Sequence, residues 1–473
     1  MILTAALVAV SYLGWKAAGL PFAPFDIFDW IVRLLPGALV TLVIESTVAI
    51  SRAFGVTNIS VAAKAGDQVL AIGGLLAAGA VAGAVLFAML KTSDEPALLF
   101  GGILGIMLGG LALLAERRLQ RLPPDSLVPT VWVGATFIAW GLAFGWTYDH
   151  LRKLSTAEDA EDAQKKLARR SLLFTIVATV LGVVIGRRSK GLIGRRWSDD
   201  HALPNASATV TPVAGTRAEL TPIEDFYRID TNTRAPAIDG DRWRLAVGGL
   251  FDRPQTLTLA DLRAFQPTDV FATLSCISNP PGGDLISTTR WTGVSLQHLL
   301  PRLAVQPAAT HLKLTSADGF FEVVALDTVR ADERAMLAYA WDGVPLLVEH
   351  GFPLRLFVPD RYGMKQPKWI VRIEAVPQWE PGYWVLRGWD REGRVVPTAA
   401  VDSVVRRGDT ADVGGIAYTG SHGVAKVEVQ VDGGEWRPAD LRQPLSDLSW
   451  VIWRARLPVG KRYVARVGVS SRA

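Results

Sequence analysis

Three stretches of about twenty residues without a formal charge, residues 69–90, 97–115 and 127–146, constrain the first part of this chain more tightly than any other feature. A helix of that length matches a bilayer's hydrocarbon core of about 30 Å, and it satisfies its own backbone hydrogen bonds there. Two weaker runs flank them: residues 34–50, which carry Glu45, and residues 171–186, bracketed by arginines able to reach the headgroups. This reading gives five spans, with residues 2–20 as a sixth or as an interfacial helix. Gly101, Gly105 and Gly109 at four-residue spacing, and the pair Gly79 and Gly83, mark faces where helices approach closely in lipid. Glu45 reads as a paired or interfacial carboxylate rather than a proton relay.

Histidine usage excludes a bis-histidine haem within these helices, because only His150 lies near a span. No CxxCH is present for covalent haem. Basic loops on both sides of residues 171–186 leave orientation undecided by charge. Arg169-Arg170-Ser171-Leu172-Leu173 ahead of an apolar stretch resembles a twin-arginine export signal used internally as an anchor. That reading places a multi-pass protein in the cell membrane with its C-terminal half on the extracytoplasmic side.

From Trp197 onward the chain reads as soluble and globular. Residues 191–222 form a linker. Residues 223–395 show short β-type runs, such as 242–247 and 311–314, broken by Gly and Pro turns and by helical signals at 259–265; this is an α+β pattern. Residues 396–473 are strand after strand, with clean alternation at 425–431, a hairpin turn at Asp432-Gly433-Gly434 and alternation again at 463–469. They read as an immunoglobulin-like β-sandwich. The expected fold is therefore multi-domain: an all-α transmembrane bundle over residues 1–190, an α+β domain, and an all-β sandwich.

Cys276 is the single cysteine in 473 residues, so no internal disulfide can form, and no CxxC or His-rich neighbour suggests zinc. An inert buried thiol, a nucleophile, and a thiolate ligand to a metal-bearing cofactor all remain open.

Leu274-Ser275-Cys276-Ile277-Ser278-Asn279, followed by Ile286-Ser287-Thr288-Thr289-Arg290-Trp291-Thr292-Gly293-Val294, resembles the sulfite oxidase family of molybdopterin enzymes. A second block, His350-Gly351-Phe352-Pro353-Leu354-Arg355-Leu356-Phe357-Val358-Pro359 with Tyr362-Gly363-Met364-Lys365-Gln366-Pro367-Lys368-Trp369, resembles that family's pterin- and phosphate-binding stretch. Glu224-Asp225-Phe226-Tyr227-Arg228 is similar to a cofactor-contacting segment of its bacterial branch. The resemblance runs from about Thr221 to the end, where the β-rich tail looks like the family's molybdenum-cofactor dimerisation domain, and it leaves out the membrane half.

The resemblance implies a membrane-anchored, molybdopterin-dependent oxidoreductase that transfers an oxygen atom on a small substrate such as an S-oxide or sulfite. Cys276 would be the catalytic thiolate and metal ligand, a soft donor suited to molybdenum. Tyr227, Arg228, Ser316, His350, Arg355, Gln366, Pro367 and Lys368 would bind the cofactor. Arg355 and Lys368, with backbone donors around Gln366 and Lys368, would supply charge-assisted hydrogen bonds to its phosphate.

One departure stands out: where sulfite-oxidising members carry arginine shortly after the ligand cysteine, this chain has Pro280-Pro281. A substrate anion would then be met by Arg290 or Arg228. The chain has no haem motif, iron–sulfur cysteines or dinucleotide fingerprint, so a separate electron partner, a quinone or a cytochrome, is implied. No nucleic-acid partner is expected, and the dimerisation-type tail leaves monomer and homodimer both open. The competing expectation is a cofactor-free, membrane-anchored binding module that uses the immunoglobulin-like domain.

Overall fold

A computed structural model describes residues 1–53, 59–91, 95–119, 126–152 and 194–469. The expected span at 171–186 and the Arg169-Arg170 pair lie outside the described residues, as does the side chain of Glu45. The N-terminal helices are α1 (Ile2–Ala18), α2 (Ala23–Leu34), α3 (Gly37–Ala53), α4 (Ile59–Leu90), α5 (Ala97–Arg118) and α6 (Leu127–Arg152).

Among the described residues, α5, α6 and the Ala62–Leu90 stretch of α4 are long and apolar enough to cross a membrane. The pair α1 and α2, bent by 99°, makes a fourth if it is taken as one broken span. Helix α3 covers most of the expected run at 34–50 but has 17 residues, roughly 26 Å of rise, and is not among them.

The glycines lie where their spacing predicts. Gly101 and Gly105 of α5 set their Cα atoms against the main-chain carbonyls of Gly141 and Phe137 in α6, and Gly141 and Gly145 reciprocate against Gly101 and Ala97. A Cβ at any of the four would collide with backbone, which cannot yield as a side chain can. Gly79 faces Thr4 of α1, and Gly83 faces the Phe144 ring of α6.

The C-terminal half is β-rich. Its strands are β1 (Leu245–Gly249), β2 (Gln255–Leu257), β3 (Thr268–Ser275), β4 (Ile286–Ser295), β5 (His311–Ser316), β6 (Phe321–Ala325), β7 (Met336–Trp341), β8 (Val344–Pro345), β9 (Arg355–Phe357) and β10 (Ile370–Val376). One sheet runs β2-β1-β10-β5-β6, with β1 and β10 parallel. A second runs β3-β4-β7-β8, and β9 pairs with β7.

The first sheet packs Leu245, Val247, Leu312, Leu314, Ile370 and Ile373 against helix Leu296–Leu303. That helix buries Leu296, Leu299, Leu300 and Leu303, an i, i+3, i+4, i+7 stripe, and the Ser295 hydroxyl caps its start by accepting from Gln297 N–H at 3.2 Å. The strand expected over 242–247 begins instead at Leu245, because Trp243 N–H turns back to the Asp239 carbonyl.

The second sheet explains Cys276. Along β3 the buried side chains Val270, Ala272 and Leu274 alternate, and Cys276, one residue past the strand, continues the row. It joins Phe226, Tyr227, Trp291, Trp341 and Phe357 in one core.

The last strands are β11 (Thr398–Arg407), β12 (Thr410–Tyr418), β13 (Val424–Val431), β14 (Arg437–Pro438), β15 (Asp440–Leu441), β16 (Val451–Pro458) and β17 (Tyr463–Val469). They form two sheets, β11-β12-β16-β15 and β14-β13-β17, around a shared core of Val413, Val427, Val429, Trp453 and Leu457. The turn after β13 falls at Asp432 and Gly433, both with positive φ (50° and 81°), which glycine adopts without strain.

Candidate active site

Cys276 is 9% exposed. Its N–H donates to the Leu285 carbonyl at 2.9 Å, and its Sγ lies 3.0 Å from Ser278 Oγ. The loop beyond it closes on itself, since Asn279 Oδ1 accepts from Leu285 N–H at 2.9 Å. Burial pushes the thiol up, and the Ser278 contacts oppose that only in part. A thiolate at this place therefore calls for a cation at the sulfur.

Tyr227 follows the turn Ile223–Asp225, and its N–H donates to Ser287 Oγ at 3.1 Å. Its hydroxyl rests against Gly363, where an added Cβ would come within 3.1 Å of it and 3.7 Å of the Ser275 carbonyl. Burial raises the phenol well above its ordinary range; Cys276 adds to this and Arg355 opposes it. Thus residues more than a hundred apart in sequence meet around one hydroxyl.

A cationic cluster occupies the same region. Arg355 Nη1 donates to the His350 carbonyl at 3.1 Å, and its guanidinium lies 4.9 Å above the Trp291 ring. Lys368 Nζ donates to the Glu349 carbonyl at 3.0 Å and to Asp230 Oδ2 at 3.2 Å. Arg228 Nε reaches the same Asp230 oxygen at 2.8 Å. Gly351, at φ +112°, lets Arg355 and Lys368 pack beside it. The His350 ring lies 4.7 Å from Trp341 and 5.6 Å from Phe226.

The cations perturb one another. His350 is held well below its ordinary value by burial, then by Lys368, Arg355 and Arg228. Lys368 is pulled down to about 8 by burial, with Asp230 opposing. Burial brings Arg355 down to about 10. Such a cluster favours a bound anion.

The remaining expected residues sit at the edges. Ser316 ends β5 opposite Ile370 of β10. The Gln366 amide nitrogen donates to the Arg361 and Val358 carbonyls at 2.7 and 3.2 Å, and its N–H donates to Gly363 at 3.0 Å, so these donors serve the turn. The Pro367 carbonyl accepts from Leu356 N–H at 2.9 Å. Arg290 is drawn elsewhere, to Asp269 at 2.9 Å and over Trp197 at 4.9 Å. It is paired with Phe271 in the ladder, five residues or roughly 16 Å of strand from Cys276.

Sequence reasoning passed over Asp230, Trp291, Trp341 and Ser278. Asp230 stands two residues beyond Arg228, which was a usable signal; Trp291 carried none apart from its place in the Cys276 block, and Trp341 carried none.

The residues fit an anionic, hydrogen-bonding cofactor that carries a metal. Arg355 Nε, Ser316 Oγ, Gln366 Oε1, Trp291 Nε1 and Trp341 Nε1 are buried and without a hydrogen-bond partner among the described residues. Also among these, no three His, Cys, Asp or Glu converge, so a metal at Cys276 would draw its other ligands from the cofactor.

Comparisons with known proteins agree. A family model described as "Oxidoreductase molybdopterin binding domain" matches residues 232–384. The uncharacterized oxidoreductase YuiH of Bacillus subtilis is 32% identical over 155 residues, 33% of this chain and 76% of that protein. Mitochondrial sulfite oxidase of Macaca fascicularis is 27% identical over 304 residues, 54% of this chain and 56% of that protein, so the chain spans little more than half of that relative. Among solved structures, the sulfane dehydrogenase SoxCD from Paracoccus pantotrophus is similar with a TM-score of 0.47 and 23% identity, over 55% of this chain and 74% of that one.

Proposed function

The chain belongs to the sulfite oxidase family of molybdopterin-dependent oxidoreductases, and from that premise we propose that it transfers an oxygen atom to or from a small substrate at a molybdenum held by Cys276. It is an oxidoreductase, and its cofactor is molybdenum-molybdopterin. The observation that carries the proposal is that the aromatic residues packed with the buried thiol, Phe226, Tyr227 and Trp291, also meet the cluster of Arg228, His350, Arg355 and Lys368.

When bound, the cofactor supplies a two-electron couple matched to the gain or loss of one oxygen atom by the substrate. The chain's residues do the rest. Cys276 offers the soft ligand, and the apolar wall of Leu274, Trp291 and Phe357 excludes water around it. Arg355 and Lys368 would hold the anionic tail of the pterin, with Tyr227, Arg228, Ser316, His350, Gln366 and Pro367 lining the same cofactor. His350, neutral by burial, can accept or donate one hydrogen bond without adding charge.

The substrate is small, an S-oxide, sulfite or a similar molecule. Pro280-Pro281 and the capture of Arg290 by Asp269 both weigh against a ready-made sulfite pocket. Electrons would pass to or from a separate quinone or cytochrome. We read residues 223–395 as the molybdopterin domain, joined by the 191–222 linker to the 1–190 membrane helices. Residues 396–473 would be an immunoglobulin-like domain of the dimerisation type, and the catalytic half would lie on the extracytoplasmic side.

Metal and pterin analysis tests the core of this. Protein from a molybdenum-replete host should hold about one molybdenum and one pterin per chain, and Cys276→Ser should lose most of the metal. Wild type holding neither would overturn the reading. A reporter fused after Ala473 tests the orientation, and a cytoplasmic signal there would sink it.

A further inference from the structure

Asp230 is the carboxylate inside the cationic cluster, with its side chain 2% exposed. One of its oxygens, Oδ2, accepts from both Arg228 Nε at 2.8 Å and Lys368 Nζ at 3.2 Å. The neighbouring anchors are main-chain carbonyls: Glu349 O takes Lys368, and His350 O takes Arg355. Asp230 therefore ties the 226–230 segment to the Lys368 turn, 138 residues away in sequence. Two of the three Lys368 N–H donors are used in this way, and Nζ also lies 4.4 Å over the Trp369 ring.

Resting on the cofactor assignment above, we propose that Asp230 is a positioning residue and the resident counter-ion of the phosphate end of the pocket. It holds Arg228 and Lys368 in place before loading, and then shares their hydrogen bonds with the anionic tail of the pterin. A carboxylate so placed has two opposing effects. It lowers the cost of burying cations together, and it repels the incoming phosphate. Removing its charge should therefore weaken the cofactor-free protein and strengthen its response to phosphate, whereas a merely structural residue would do only the first.

The experiment uses full-length protein from a host unable to make molybdopterin. Melting is followed against inorganic phosphate, with chloride at matched ionic strength as the control. Asp230→Asn, which keeps an acceptor oxygen, should melt lower than the parent without phosphate. It should reach half of its phosphate stabilisation at about a tenfold lower concentration, and Asp230→Glu should follow the parent. Lys368→Met should lose the response, and cofactor-loaded parent should show none because the tail already fills the place.

A phosphate curve for Asp230→Asn that coincides with the parent's or is weaker overturns the proposal, as does a response that persists in loaded protein. Should Asp230→Asn fail to fold, the charge-balanced pair Asp230→Asn with Lys368→Met should fold; failure of both also overturns it. The cofactor assignment stands or falls separately, on molybdenum and pterin content of the parent from a replete host.

Discussion

Lys365 closes on Glu322 at 2.6 Å in an ion pair whose side chains are 5% and 0% exposed, while Lys368, three residues on, turns instead to Asp230 and the Glu349 carbonyl. The two lysines of one short turn thus serve different ends. Lys365 fastens the turn to β6, and Lys368 joins the cluster of Arg228, His350 and Arg355.

Because the Glu322 pair is buried, removing one member leaves an uncompensated charge. Burial already pushes the Glu322 carboxyl up, and Lys365 is what opposes it. Lys365→Met should cost about 3–5 kcal/mol, and combining it with Glu322→Leu should recover most of that loss. Denaturation of the full-length variants checks both, and an equal loss in the single and double variants would contradict the pairing.

Lys368 gives the cofactor-free protein a signature in pH. Its value falls from 10.5 to about 8 on folding, so between those values the unfolded chain binds more protons and stability rises with pH. The penalty is fully present below pH 8 and relieved by pH 10.5, with a ceiling of about 3 kcal/mol. Parent stability minus that of Lys368→Met should therefore climb across this window; groups remote from the cluster cancel in the difference, whereas Arg355, which interacts with Lys368 and is brought down to about 10, adds to the upper end of it. A flat difference would show that Lys368 is not depressed.

Arg355→Lys keeps the charge and loses the geometry. The planar guanidinium spans the Trp291 face and the His350 carbonyl at once, which an ammonium cannot do. Pterin retained after gel filtration should fall about tenfold while molybdenum and pterin are lost together. Retention at the parent level would remove Arg355 from the set of anchors.

Gly351→Ala tests the backbone. At φ +112° an L-residue is strained, and the new Cβ would come within 3.1 Å of the Cβ atoms of both Arg355 and Lys368. A cost of about 1–3 kcal/mol is expected. Pterin content should fall with it, since both anchors must shift; loss of stability with full pterin content would separate the glycine from the site.

Much of this was legible in the residues. The spans at α5 and α6 follow from uninterrupted apolar length, and the glycine contacts follow from four-residue spacing. Cys276 continues the row of Val270, Ala272 and Leu274, yet Thr273 and Ser275 on the other face of the strand are buried as well, so its burial was left open by the sequence and decided by packing on both faces. The strand at 242–247 was misplaced by three residues because a turn hydrogen bond from Trp243 competes with the sheet. Gln366 was read as a cofactor-binding residue; its amide nitrogen donates to the Val358 and Arg361 carbonyls, eight and five residues back, and its Oε1 stays without a hydrogen-bond partner among the described residues.

The sequence alone determined the division into long apolar N-terminal helices and a β-rich half, and the family. These are properties of local period, length and motif. Only the tertiary structure decided which lysine joins the cationic cluster, that Asp230 stands among the cations, and that Arg290 is held away from Cys276. Those outcomes depend on contacts between segments tens to more than a hundred residues apart, where burial and pairing set the charge of each group and spacing along the chain carries no record of it.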